Sequence, residues 1–315
     1  MNGETNLGRK TKFMMRLVRV WLCFGSLLIC SPKLMAKDSA TIFDLYAYND
    51  LVPTAEQVLG HSLGTDINWT ADARRYFEAL ENFAPQNVRI IDYGTSWEGR
   101  TLFYVVVSSE KNIAKLVEIK INMQRLADPR QLSESQAQKL IENTPAVTWL
   151  SYSVHGNEIS STEAAMATAY HLLASTDDPV AKAAMEETVT VLVPVQNPDG
   201  RDRFVHHFEM ARGPVADANM DSAEHNEPWP RGRTNHYLFD LNRDWFAQTQ
   251  PETRAHAKAF LEWMPVAFVD AHEMGSDSTY FFAPEAEPYN PFITAEQRAS
   301  LIMFGKTNAK RFDHY

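Results

Sequence analysis

Cysteine is nearly absent. The 315 residues hold two, Cys23 and Cys30, and both lie within the first 36 positions. Without that stretch there is no thiol. A disulfide framework and a thiolate site are then excluded, and any metal must be held by histidine and carboxylates. Long apolar runs are missing too. No stretch reaches the roughly 18 apolar residues that a bilayer span needs, so no transmembrane span is expected. Basic charge is in short supply. Lys and Arg number 30 against 40 Asp and Glu, for a formal net charge of −10. Residues 1–36 carry six basic residues and one acidic residue, so the remainder stands at −15. A nucleic-acid partner calls for a basic face, and none is expected here. With 44% hydrophobic and 22% charged residues, the chain has the composition of a folded protein of one large domain or two small ones.

The first residues read as a leader. Arg9, Lys10, Lys12, Arg16 and Arg19 precede a short apolar core, 20–30, and small Ala36 follows as a cleavage point. Charge, apolar core and small residue in that order describe a secretory signal peptide. Bulky Ile29 argues against a lipid anchor at Cys30, and Met14 and Met15 are alternative starts. The expected organisation is a signal peptide at 1–36, a lead-in segment at 37–69 and a main domain at 70–315. The protein would be secreted or periplasmic.

Apolar periodicity predicts helices at 70–84, 133–143, 161–174, 179–187, 251–263 and 294–312. Ser160 or Ser161 is the expected cap of the third. Strands are expected at 88–93, 101–108, 146–154, 188–195, 266–270 and 280–283, the one at 266–270 being fully buried. Alternation of this kind implies an α/β fold, a mixed and largely parallel sheet flanked by helices. The segment 201–241 breaks the pattern. It is rich in His, Asn, Arg, Pro and Trp and reads as a long loop, functional or disordered.

The chemistry gathers at strand ends. His155-Gly156-Asn157-Glu158 follows the strand 146–154, with Gly156 expected to permit a tight turn. His155 and Glu158 are three apart and can point to one side. A catalytic zinc takes three protein ligands and keeps one position open, and two His with one Glu is a known peptidase set. His272, 114 residues after Glu158, leaves another apolar strand at its carboxyl end, where α/β sheets place their ligands. His206 and Glu209 repeat the H-x-x-E spacing with no strand before them, and read as structural. His207, His225 and His236 read as loop hydrogen-bonders. Asp199 and Gly200 read as turn formers. No H-E-x-x-H is present.

Taken together, His155-x-x-Glu158, Asn197-Pro198-Asp199-Gly200, Asp240-Leu241-Asn242-Arg243 and Asp270-Ala271-His272 resemble the ordered motifs of zinc metallocarboxypeptidases of the carboxypeptidase A type. Gly94-Thr95-Ser96-Trp97-Glu98-Gly99-Arg100 looks like that family's early turn. The resemblance covers roughly residues 70–290. It implies a carboxypeptidase-like fold with one zinc ion at the carboxyl ends of strands, held by His155, Glu158 and His272. It implies an oxyanion-stabilising arginine, Arg233 ahead of Arg231. It also implies Asn242 and Arg243 as the clamp for a substrate's terminal carboxylate, for which a guanidinium fork is suited. A salt bridge of Arg243 to Asp240 or Asp244 is the structural alternative. Glu273 is expected to point away from the metal and is not assigned as base.

The resemblance then implies hydrolysis of C-terminal peptide bonds in peptides or proteins. The family's general-base Glu and a substrate-binding Tyr would fall beyond Tyr315, so a C-terminally incomplete domain is expected. Two other readings stay open. One is a related zinc amidohydrolase acting on cell-wall peptides or N-acyl amino acids. The other is a zinc-holding module without turnover, since positioned acid–base help is worth roughly 100- to 10,000-fold.

Overall fold

The computed structural model describes residues 42–275 and 278–314. The expected signal peptide and both cysteines lie outside those residues. The chain divides into two units, Met1–Leu45 and Tyr46–Tyr315. Of the first, a single 3-10 turn at Ile42–Leu45 is described.

The second unit runs α1 (Ala55–Leu59), α2 (Thr70–Phe83), β1 (Val88–Thr95), β2 (Thr101–Val107), α3 (Glu110–Ile113), α4 (Leu116–Ala127), α5 (Glu134–Asn143) and β3 (Ala146–Tyr152). It continues through α6 (Ser160–Ala174), α7 (Pro179–Glu187), β4 (Thr188–Val193), α8 (Pro198–Ala211), α9 (Pro251–Trp263), β5 (Ala267–Ala271) and α10 (Ala295–His314). The sheet order is β1-β2-β4-β3-β5. β1 and β4 flank β2 antiparallel, while β4 and β5 flank β3 parallel. The sheet is therefore mixed, and its parallel side carries the candidate site.

β-Branched and aromatic residues make β2 and β4 buried on both faces, as central strands between helix layers require. Phe103, Val105 and Val107 join Tyr76, Phe77 and Leu80 of α2 and Met166 and Ala169 of α6. Val52 and Ala55, from the expected lead-in, belong to the same cluster. Tyr104 and Val106 turn the other way, to Ile119 and Met123 of α4 and Trp263 of α9. Burying each such side chain contributes about 1.5–3 kcal/mol.

Four expectations are corrected. First, residues 201–211 are not loop but most of α8. Its inward face is Gly200, Arg201, Asp202 and Val205, so it is largely polar and carries no apolar stripe. Second, β5 is not a buried strand. It borders the sheet with β3 as its partner, and Phe268 and Val269 are 43% and 48% exposed. Third, 280–283 is not a strand; Tyr280 and Phe282 instead pack against Phe312 of α10. Fourth, α6 has no serine cap. Its N-cap residue is Ile159, which offers no side-chain hydrogen bond. Helix α4 had no counterpart in the sequence reading.

Candidate metal centre

Two parallel strands end side by side. Tyr152, the last residue of β3, faces Ala271, the last of β5. His155 and His272 follow those ends and meet at one edge of the sheet. Ser153 adopts a left-handed φ of 54° that turns the chain out of β3. The backbone then hands over to β4's exit, with Gln196 and Asn197 donating to the carbonyls of Tyr152 and Ser153 at 3.0 Å.

Three glycines, Gly156, Gly200 and Gly232 beside Arg233, meet just behind this edge. A methyl group on Gly156 would lie 2.1 Å from the Arg201 amide nitrogen and 2.6 Å from the Gly232 carbonyl. One on Gly200 would lie 2.3 Å from that same carbonyl. Both glycines were expected as turn formers. Their backbones have ordinary negative φ, and it is close approach that excludes a side chain. Gly200 and Asp199 lie in the first turn of α8, with Asn197 Oδ1 capping at Gly200 N (3.0 Å). Asn197 Nδ2 also donates to the Arg233 carbonyl at 3.1 Å. Buried Asp199 accepts from Ser96 Oγ (2.7 Å) and pairs with Arg100 (2.8 Å), joining the 94–100 turn to α8. Beneath the second ligand, fully buried Arg201 donates to the Ile159 carbonyl and pairs with Glu163 at 3.2 Å.

His155, Glu158 and His272 offer one donor atom each, all within 4.8 Å of one another. His155 Nδ1 is 2.5 Å from Glu158 Oε1, and His272 Nδ1 is 3.0 Å from Oε2. Each ring has a second carboxylate behind it. Asp240 Oδ1 lies 3.1 Å from His155 Nε2, and Asp270 Oδ2 lies 2.9 Å from His272 Nε2. With an ion bound, a carboxylate on Nε2 would hold the proton there and leave the Nδ1 lone pair to the metal. Burial opposes ionisation of Glu158, but hydrogen bonds from His155 and His272 outweigh it and hold its carboxyl at about 2. Hydrogen bonds to Asp270 and Glu158 push His272 up to about 10. The donor set, two imidazoles and one carboxylate with oriented rings, fits zinc.

Arg233 stands beside this group. Its Nη1 lies 3.3 Å from His155 Nδ1 and 4.0 Å from Glu158, while Nε donates to Asp240 Oδ2 at 3.0 Å. Arg231 is exposed, and its carbonyl accepts from Arg203. Asn242 Nδ2 is 3.4 Å from His272 Nε2. Arg243 is exposed and donates to the Asn242 carbonyl at 3.0 Å. Asp244 instead accepts from Thr249 and Gln250, and Asp240 serves His155 and Arg233. His206 and Glu209 sit on α8 against Trp69, away from the group. His207 also lies on α8, which corrects its expected place in a loop. His225 and His236 do lie in the loop and form hydrogen bonds, His225 to the Asp217 carbonyl within it and His236 across to Glu98 of the 94–100 turn.

The sequence assigns no imidazole partner, and Asp240 enters it only as a possible salt-bridge partner of Arg243. Asp240 and Asp270 stand inside the motifs, two residues before Asn242 and before His272. That spacing was the available signal.

Among solved structures, the chain is similar to carboxypeptidase A from Helicoverpa armigera, with 17% identity and a TM-score of 0.45. That likeness covers 70% of this chain and 52% of the other. It is also similar to a metallo-carboxypeptidase from Burkholderia cenocepacia, with 19% identity and a TM-score of 0.42, covering 72% and 46%. The chain thus spans about half the length of these structures. No curated protein sequence matches it. The zinc carboxypeptidase family matches residues 73–310, a stretch that includes all five strands, both helix layers and the His155–Glu158–His272 group. The chain belongs to the zinc carboxypeptidase family.

Proposed function

We propose that the protein is a zinc-dependent metallocarboxypeptidase, exported from the cytoplasm, that removes C-terminal residues from peptides. One observation carries the reading: two histidines and a glutamate converge at adjacent strand ends, each ring backed by its own carboxylate. No helix among the described residues is long and apolar enough to cross a membrane.

His155, Glu158 and His272 would hold the ion. Zinc, when bound, supplies a water of lowered pKa and a Lewis acid for the scissile carbonyl. Asp240 and Asp270 keep the imidazoles oriented. Arg233 directs its guanidinium at the developing oxyanion, a role worth about 3–4 kcal/mol per donor. Asn242 and exposed Arg243 bind the substrate's terminal carboxylate. Arg243 is available for this because both neighbouring acids are engaged elsewhere.

The test compares peptides with free and amidated C-termini on a form of the protein that turns over peptide. Free C-termini should be cleaved much faster. Arg243→Ala should raise KM for free C-termini at least tenfold while leaving the slow amidated reaction unchanged. Equal rates on both substrates would sink the exopeptidase reading and favour a zinc amidohydrolase.

A further inference from the structure

Helix α6 follows the Glu158 turn directly, yet it brings no cap of its own. Ile159 occupies the N-cap position in a helical conformation with no side-chain acceptor. The missing acceptor comes from 113 residues away. Glu273 Oε2 accepts from Ser160 N at 2.8 Å and from Ser160 Oγ at 2.5 Å. A carboxylate at this end is also favoured by the helix dipole. The same residue reaches the neighbouring ligand through its backbone, since Glu273 N donates to Glu158 Oε2 at 3.1 Å. That oxygen is also 3.0 Å from His272 Nδ1. Glu273 is thus bonded to Glu158 and to the helix start beyond it, while being covalently next to His272.

We propose that Glu273 is a positioning residue. Its side chain clasps the start of α6 and so fixes the separation between His272 and the His155–Glu158 turn before metal arrives. The inference rests on the zinc reading for its consequence, although the clasp itself does not require metal. Without the clasp, the hydrogen bonds among the described residues that tie β5's exit to the turn are those to the Glu158 carboxylate, a group that metal would claim, beside the contact of the His155 and His272 rings.

Zinc affinity by chelator competition is the first readout, on the purified protein and its Glu273→Ala, Glu273→Gln and Ser160→Ala variants. Loss of outer-shell partners costs about 10- to 100-fold in metal affinity, and this exposed pair should lie at the lower end, near tenfold for Glu273→Ala. Glu273→Gln keeps an oxygen that accepts from Ser160 and should stay within about threefold of wild type. Adding Ser160→Ala to Glu273→Ala should cost nothing more, because the two act as one contact. Hydrogen exchange across 158–162 in the metal-free protein is the second readout, and it should quicken in Glu273→Ala. Unchanged exchange would overturn the clasp whatever zinc does. So would zinc affinity for Glu273→Ala within twofold of wild type, or a glutamine variant as weak as alanine. If exchange quickens but wild type takes up no zinc, the clasp stands and the metal reading falls.

Discussion

Asp240 Oδ1 lies 3.1 Å from His155 Nε2, so the ring's other nitrogen is turned toward Glu158. The second oxygen of the same carboxylate holds Arg233. One side chain therefore orients a candidate ligand and the candidate oxyanion donor together. Asp240→Ala should weaken zinc binding about 10- to 100-fold, measured by chelator competition. Unaltered affinity would mean the ring is held by packing alone.

The ligand set has a direct check. Zinc at one equivalent is expected in the wild-type protein by elemental analysis, and His155→Ala or His272→Ala should remove it. His206→Ala is the control. It belongs to the repeated H-x-x-E spacing on α8 and packs on Trp69, so metal content should not change. Loss of zinc there would overturn the assignment.

Arg201 is fully buried and pairs with Glu163 at 3.2 Å. Burial lowers the pKa of Arg201 and raises that of Glu163, so both charges are under desolvation stress. Removing one partner strands the other. Arg201→Met should cost about 3–5 kcal/mol in urea denaturation, and the double change Arg201→Met with Glu163→Met should cost less. A double variant weaker than the single would show that Arg201's bonds to the Ile159 and Asn68 carbonyls dominate.

How much of this was legible in the sequence follows from what pattern can carry. β2, β3 and β4 announce themselves as β-branched and aromatic runs, and α9 begins at its proline as expected. His155 and Glu158 stand out because they follow β3, and His272 because it follows the short apolar run of β5. Helix α8 was hidden because its buried face is hydrogen-bonded polar residues, which hydrophobic periodicity does not register. Asp240 and Asp270 could be quoted but not assigned, since which side of an imidazole a carboxylate meets is set by tertiary packing. The expected serine cap of α6 is not found because its acceptor, Glu273, lies 113 residues away, just past the end of β5.

His256 gives a stability prediction with a definite sign. It is 3% exposed, ringed by Trp149 and Trp245, and its Nδ1 finds no partner among the described residues. Burial pushes its pKa down to about 4. In the unfolded chain it titrates near 6.5, so the neutral form contributes its full stability above that pH. As pH falls from about 6.5 to about 4, only the unfolded chain takes up the proton, and about 3 kcal/mol is lost. Denaturation of the metal-free protein across this window should show that loss in wild type and a shallower one in His256→Gln. Parallel curves would count against it.

The meeting of Gly156, Gly200 and Gly232 sets what kinds of change the centre can absorb. The stretch between α8 and Trp229 is tied to that contact through Glu227, which accepts from Gly232 N and Asn157 Nδ2, so residues added or deleted in its exposed part before Glu227 should alter reach and leave the contact intact. A single added carbon at any of the three has nowhere to go, and the displaced backbone would be that of another motif. Length is therefore cheap and volume dear at this centre, and an engineer should vary loops first and leave the glycines alone.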